Sequence, residues 1–179
     1  MKELKLITRA RAHGKAVAIR AGSEQHSYTE LLDRSAALAS AICGDALDLR
    51  EARVAFLAPA GFDYVTTQWA IWRSGGVCVP LCLSAAEPEL EYALSDSRSS
   101  LVVATRQNAD KVRSICERLR LPLLIVEEVA TAPEKDLPEI SPDRRGMILY
   151  TSGTTSKPKG VVTTHANIQA QIESLIIAW

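Results

Sequence analysis

The sequence lacks several features that would assign it to a functional class at once. Its 179 residues carry 21 Lys and Arg against 21 Asp and Glu, so no net charge draws the whole chain to nucleic acid or anionic lipid. Only 5% of the residues are aromatic, too few for a platform on which bases stack. No apolar run approaches the roughly 20 residues of a membrane-spanning helix, and residues 1–11 lack the apolar core of a signal peptide. We therefore expect a cytoplasmic protein in which any anion site is local.

The cysteines form no recognisable metal or disulfide pattern. Cys43, Cys78, Cys82 and Cys116 include no Cys-x-x-Cys pair, and the three histidines are scattered. Cys78 and Cys82 lie four residues apart in an apolar stretch, but a zinc site needs two further ligands and no second cluster supplies them. The pattern favours buried, unreactive thiols.

Short apolar stretches alternate with amphipathic ones along most of the chain. The apolar stretches predict strands, and the segments between them have helical periodicity. Such alternation requires crossover connections, so it predicts an α/β fold with a mostly parallel sheet flanked by helices on both faces. The predicted strands are residues 16–20, 54–58, 77–81, 101–104, 123–126 and 147–150.

Two predicted helices begin with capping boxes, Ser27 with Glu30 and Ser84 with Glu87, in which each side chain satisfies a free backbone N–H of the first turn. In a third helix, Trp69 and Trp72 fall on one face. This face is either a ligand wall or part of the core, and an aromatic stripe at helical spacing favours the core.

The segment after the fifth predicted strand interrupts the alternation. It contains prolines and acidic residues without periodicity, which indicates an exposed connector and a subdomain boundary. We therefore expect an α/β subdomain at residues 1–126, a connector at 127–146, and a phosphate-loop hairpin with the start of the following helix at 147–179.

Residues 150–160 carry the chemistry, with the sequence Tyr-Thr-Ser-Gly-Thr-Thr-Ser-Lys-Pro-Lys-Gly. Hydroxyls and unpaired backbone N–H groups donate hydrogen bonds and lysine supplies positive charge, a combination that suits the many oxygens of a polyphosphate. Gly153 allows close backbone approach or a positive φ. The alternative is a polar surface loop that binds nothing, but such loops rarely end in Lys-Pro-Lys-Gly between β-branched segments.

This loop does not fit the Walker A pattern, which leads directly into a helix. Pro158 interrupts the chain after Lys157, and the β-branched residues 161–164 favour a second strand. The sequence therefore predicts a loop between two strands. A helix then begins near His165. Its predicted inner face comprises Ile168, Ile172, Leu175 and Ile176.

Four motifs in order resemble the adenylate-forming superfamily, which includes acyl-CoA synthetases, peptide-synthetase adenylation domains and beetle luciferases. The loop looks like its signature Tyr-Thr-Ser-Gly-Thr-Thr-x-Lys-Pro-Lys-Gly. The other matches are Ser-Tyr-Thr-Glu-Leu at residues 27–31, Arg-Ser-Gly-Gly-Val-Cys-Val-Pro-Leu at 73–81, and Thr-His-Ala-Asn at 164–167. Residues 79–82 and 87–92 look most like the malonate-activating and medium-chain acyl-CoA branches.

The resemblance implies an ATP-dependent acid–thiol ligase. In such enzymes a carboxylic acid attacks Mg²⁺-bound ATP to give an acyl-adenylate and pyrophosphate, and coenzyme A then takes the acyl group. The loop would hold the β- and γ-phosphates by positioning and charge screening, without acid–base catalysis. The residues implied are Thr151, Ser152, Gly153, Thr154, Thr155, Ser156, Lys157 and Lys159.

One position departs from the superfamily pattern, because Ser156 stands where most members have Gly. If the backbone there has a positive φ, Ser costs about 1 kcal/mol relative to Gly. His165 could be read as a general base, but no neighbouring carboxylate or serine forms a relay with it, so a structural place at the helix start is favoured.

Members of the superfamily are several times longer, so we expect the chain to be a truncated amino-terminal part that is catalytically incomplete alone. Two alternatives stay open: an adenylation domain that loads a carrier protein, and a non-catalytic nucleotide-binding or interaction module. A sheet with an open edge and uncovered apolar surface would favour a homodimer.

Overall fold

The computed structural model describes residues 3–129, 136–151 and 157–178. In these ranges the helices are α1 (Lys5–His13), α2 (Tyr28–Cys43), α3 (Phe62–Arg73), α4 (Glu87–Asp96), α5 (Arg106–Leu119) and α6 (His165–Ala178). The strands are β1 (Val17–Ala21), β2 (Glu24–Ser27), β3 (Arg53–Leu57), β4 (Val77–Pro80), β5 (Leu101–Ala104), β6 (Leu123–Ile125), β7 (Arg145–Thr151) and β8 (Lys159–Thr164). One 3₁₀ turn spans Val126–Glu128.

The main sheet has the strand order β6-β5-β3-β4-β7-β8. The strands from β6 to β7 pair in parallel, and only β7 and β8 pair antiparallel. β1 and β2 form a separate antiparallel hairpin. The predicted α/β class with a mostly parallel sheet is confirmed.

Each central strand is buried on both faces because its side chains alternate between two apolar clusters. Val54 and Phe56 of β3 pack with α2 and α3, whereas Ala55 and Leu57 pack with α4 and α5. A strand covered on both sides needs apolar residues at every position, which explains the unbroken apolar runs. Helices therefore flank both faces, as predicted. The predicted place of Trp69 and Trp72 in the core is also confirmed, with exposed fractions of 6% and 4%.

The two predicted capping boxes have different outcomes. At α2 the Ser27 N–H donates to Glu30 Oε2 at 2.7 Å and the Glu30 N–H donates to Ser27 Oγ at 3.2 Å, so this box is confirmed. At α4 the box with Ser84 is wrong, because the helix begins at Glu87.

Pro88 explains the register of α4. A box starting at Ser84 would place Pro88 at the fourth helical position, where an N–H must donate to the capping residue's carbonyl. Starting at Glu87 places Pro88 second, where no partner is needed. The Ala86 N–H then donates to Glu89 Oε2 at 3.1 Å, and Ser84 Oγ lies 3.2 Å from Cys82 Sγ.

Two further expectations need correction. Cys43, Cys78 and Cys116 are buried, but Cys82 is exposed, because it follows the carboxyl end of β4 and leaves the sheet. In α6, Leu175 and Ile176 are 53% and 63% exposed rather than inward-facing. β8 is the edge strand, and Ile168 in the first part of α6 packs against the core.

The division into three segments stays a prediction. Across the proposed boundary, β7 joins the main sheet beside β4, with Met147 opposite Cys78. Within the proposed connector Ile140 is buried, and Arg145 already belongs to β7.

Candidate functional site

The β7–β8 hairpin presents the predicted phosphate loop. Thr151 ends β7 and pairs with Lys159, the first residue of β8. These two residues form the mouth of the loop, and the Thr151 hydroxyl donates to the Lys159 carbonyl at 3.5 Å. The prediction of a loop between two strands is confirmed, and a Walker A arrangement with a helix directly after the loop is excluded.

The predicted site residues fall into two groups. Thr151, Lys157 and Lys159 lie at the mouth of the loop, all exposed to solvent. The Lys157 ammonium lies 5.4 Å from the centroid of the Tyr92 ring. Ser152, Gly153, Thr154, Thr155 and Ser156 lie outside the described residues.

Tyr92 and Asp96, which contact Tyr150 beneath the mouth, were missed by the sequence reasoning. Tyr150 donates its hydroxyl to Asp96 Oδ2 at 2.7 Å. The Tyr92 and Tyr150 rings meet edge to face, with centroids 6.3 Å apart. Burial first, and then the Asp96 carboxylate, raises the pKa of Tyr150, so its hydroxyl keeps its proton and remains a donor. The spacing of Tyr92 and Asp96, one helical turn apart, was the available signal.

Gly160 makes room for this arrangement. It lies opposite Tyr150 in the hairpin. A Cβ at Gly160 would lie 2.9 Å from Ile148 Cγ2 and 3.3 Å from Tyr150 Cζ. The last glycine of the motif is therefore explained by close packing of the Tyr150 ring across the neighbouring strand.

The Thr-His-Ala-Asn stretch forms the start of α6. Asn167 Oδ1 accepts from the Thr164 N–H at 3.0 Å and from its hydroxyl at 2.9 Å, and the Asn167 N–H donates to Thr164 Oγ1 at 3.2 Å. This reciprocal pair is a capping box with Asn in place of Glu. It explains the Thr and Asn of the motif as structural residues.

His165 is buried at the beginning of the same helix. Its ring meets Trp72 edge to face with centroids 5.6 Å apart, and its exposed fraction is 6%. Burial first, and then the nearby Arg144 charge, lowers the pKa of His165 to about 4. The geometry supports the structural role that the sequence favoured.

The described residues offer no ready metal centre. Among them, no group of three or more His, Cys, Asp or Glu side chains is placed to hold an ion. The Cys78 thiol is buried, which raises its pKa to about 12, so it stays protonated. Exposed Cys82 differs, because hydrogen bonds from Ser84 lower the pKa of its thiol.

Comparison with known proteins identifies the family of this chain. A model described as AMP-binding enzyme matches residues 6–178. The chain belongs to the AMP-binding enzyme family. The family match and the hairpin geometry agree with the superfamily that the sequence motifs resemble.

The curated relatives are acid–thiol ligases. The chain is 41% identical to the mitochondrial malonate–CoA ligase ACSF3 of Mus musculus over 182 residues, covering 96% of this chain and 31% of that protein. It is 36% identical to the feruloyl-CoA synthase of Amycolatopsis sp over 164 residues, covering 90% and 33%. The chain thus spans about a third of the length of these relatives.

The fold is shared with solved structures. Apo MatB from Rhodopseudomonas palustris superposes with a TM-score of 0.82 at 24% identity, covering 100% of this chain and 38% of that one. Within the parts of the chain that the structure describes, we find no helix with the length and apolar character of a membrane span. The cytoplasmic location stays a prediction.

Proposed function

We propose that the β7–β8 loop binds the phosphates of ATP and that this chain is the amino-terminal part of an ATP-dependent carboxylate–CoA ligase. The observation that carries the proposal is the hairpin mouth, where Thr151 and Lys159 pair across the strands and Lys157 precedes Lys159 by two residues. Hydroxyl and ammonium donors at one mouth match the oxygens of a polyphosphate.

The proposed reaction has two steps. The substrate carboxylate attacks the α-phosphorus of ATP, forming an acyl-adenylate and releasing pyrophosphate. The thiol of coenzyme A then attacks the acyl carbon and releases AMP and a proton. In the first step Lys157 and Lys159 would screen the negative charge of the departing pyrophosphate. The Thr151 hydroxyl would turn from the Lys159 carbonyl to donate its one proton to the pyrophosphate.

The same loop would contribute donors from Ser152 to Ser156. Mg²⁺ would arrive bound to ATP, since phosphate oxygens are its usual partners and the described residues hold no acidic cluster for it. We propose malonate as the acid, because the chain is 41% identical to the mouse malonate–CoA ligase. We propose coenzyme A as the acceptor, because the relatives are a malonate–CoA ligase and a feruloyl-CoA synthase.

Nucleotide titration of the chain tests the phosphate site. We expect ATP to bind more tightly than AMP, because the loop recognises the phosphates that AMP lacks. Lys159→Gln should weaken ATP binding about tenfold, the loss of one charge-assisted hydrogen bond, and leave AMP binding unchanged. Lys15→Gln, an exposed lysine before β1, is the matched control. Equal affinity for ATP and AMP, or an unaffected Lys159→Gln variant, would refute the proposal.

We propose that catalysis requires residues beyond the 179 of this chain. We expect the 179-residue chain alone to show no carboxylate-dependent exchange of pyrophosphate into ATP, because about two thirds of the relatives' length has no counterpart in it. Robust exchange by the purified chain would contradict this.

We also propose that the chain alone forms a homodimer through the β8 edge. Val161 and Val162 on that edge are 48% and 50% exposed, and Ile177 at the end of α6 is 87% exposed. An open edge with apolar side chains favours pairing with a second copy. Val161→Lys should give a monomer in sedimentation experiments, whereas Leu47→Lys, at an exposed apolar residue outside β8, should not. A wild-type monomer at all concentrations would exclude the dimer.

A further inference from the structure

Helix α4 contacts both arms of the β7–β8 hairpin. On the incoming arm, Asp96 accepts the Tyr150 hydroxyl at 2.7 Å. On the outgoing side, the Tyr92 hydroxyl donates to the Pro158 carbonyl at 3.2 Å. Tyr150 lies just before the mouth of the loop, and Pro158 precedes β8. One helix therefore fixes the positions where the chain enters and leaves the proposed phosphate loop.

Tyr92 and Asp96 act together. They are one helical turn apart and share a face of α4, and Tyr92 Oη lies 3.4 Å from Asp96 Oδ1. A phenol has one proton, so the carboxylate and the Pro158 carbonyl share it. Burial first, and then Asp96, raises the pKa of Tyr92 as well, which keeps that proton in place. The carboxylate thereby orients the tyrosine toward the loop.

The ring of Tyr92 makes a second contact with the loop. The Lys157 ammonium lies 5.4 Å from the ring centroid, within the range of a cation–π attraction. Lys157 is otherwise exposed, and an exposed lysine side chain samples many rotamers. The ring reduces that freedom and keeps the charge near the mouth.

We propose that Tyr92, oriented by Asp96, is a positioning residue for phosphate binding: its hydroxyl holds Pro158 and its ring holds the Lys157 ammonium at the mouth of the loop. This inference rests on the proposed function and deepens it. A positioning role differs from simple packing of the hairpin. If Tyr92 positions Lys157, its effect on phosphate affinity must depend on the presence of Lys157.

The first test needs no ligand. In NMR spectra of the 179-residue chain, we expect the Lys157 ε-methylene protons to be shifted upfield by the Tyr92 ring. Tyr92→Phe should retain this shift, Tyr92→Leu should abolish it, and Tyr28→Phe, a tyrosine packed in the cluster on the other face, should leave it unchanged. An identical Lys157 shift in the Tyr92→Leu variant would overturn the inference.

The second test is a double-mutant cycle read by titration with inorganic tripolyphosphate. Tyr92→Leu should weaken binding about threefold to tenfold, because the Lys157 side chain and the Pro158 backbone, no longer held in advance, must then be ordered when the ligand binds. In a Lys157→Gln background the same change should cost clearly less, because the ring no longer has a charge to hold. Tyr92→Phe should show only the part due to the hydroxyl.

The outcomes distinguish a positioning role for Tyr92 from simple packing of the hairpin. Equal loss in both backgrounds would show that Tyr92 only packs the hairpin, and tighter binding by Tyr92→Leu would show that the ring holds Lys157 away from the phosphate; either result overturns the inference. If the wild-type chain binds no tripolyphosphate, the proposed function fails, and the ligand-free spectra still decide whether Tyr92 holds Lys157. Thermal unfolding of each variant verifies that the fold is retained.

Discussion

Acidification should destabilise this chain through one buried imidazole. His165 packs against Trp72 and lies directly on Gly146, where an added Cβ would be 3.0 Å from His165 Cε1. The Trp72 indole N–H donates to the Gly146 carbonyl at 2.7 Å. Protonating His165 would therefore place a positive charge in a buried, closely packed site away from water.

The sign and size follow from proton linkage. The pKa of His165 falls from 6.5 to about 4 in the folded chain, chiefly because of burial. The unfolded chain therefore binds more protons than the folded one between these values. The stabilisation is fully present above the unfolded pKa, is lost as the pH falls, and stops changing below the folded pKa. The loss amounts to about 2 kcal/mol on going from pH 7 to pH 5, and to about 3 kcal/mol at pH 4.

Urea unfolding followed by tryptophan fluorescence measures this loss, since Trp69 and Trp72 are both buried. The variant His165→Gln carries no titrating group at this position. Its unfolding free energy should change by about 2 kcal/mol less than that of the wild type between pH 7 and pH 5. Hydrogen bonds from Arg144 and Arg145 lower the pKa values of Asp48 and Glu51, so protonation of these carboxylates affects the stability at more acidic pH.

The comparison can fail in two clear ways. Parallel pH dependences of wild type and His165→Gln would show that His165 does not contribute. An NMR titration in which the His165 imidazole protonates near its ordinary pKa would show that its burial has no electrostatic consequence.

Three further predictions concern the packing that supports the hairpin and α2. Gly75→Ala should destabilise the chain by more than about 2 kcal/mol, because φ is +79° and the new Cβ would lie 2.1 Å from Asp48 Oδ1. The control Gly22→Ala has a φ of +60° but open space around it, so chemical denaturation should show a loss of only about 1 kcal/mol; equal losses would contradict this reasoning. Arg144→Ala should cost about 2 kcal/mol, since Arg144 donates to both Asp48 oxygens at 2.8 Å and also to the Gly75 carbonyl. A double-mutant cycle with Asp48→Asn should show coupling, and strict additivity would exclude a direct contribution from the pair. Ser27→Ala should lower the unfolding free energy by about 1 kcal/mol by removing the α2 cap, and an unchanged midpoint in urea would refute it.

Local sequence patterns were sufficient for most of the elements. The alternation of apolar strands and amphipathic helices predicted the parallel sheet, because each pattern directly reports which faces of an element are buried. The Ser27 box and the hairpin around residues 150–160 depend on contacts between residues close in the chain, so their signals are also local. The predicted α4 start is wrong because the Ser84 box, although a local signal, would place Pro88 where the helix needs a backbone N–H.

The sequence by itself therefore determined the fold class and the hairpin, and the chemistry of the loop stays a prediction. Only the tertiary structure decided that Tyr92 of α4 lies beneath Lys157, that His165 is buried on Trp72, and that the end of α6 is exposed. These features join residues far apart in the chain, or depend on β8 being the edge of the sheet. Periodicity records which side of an element is apolar, but the strand order decides what covers that side.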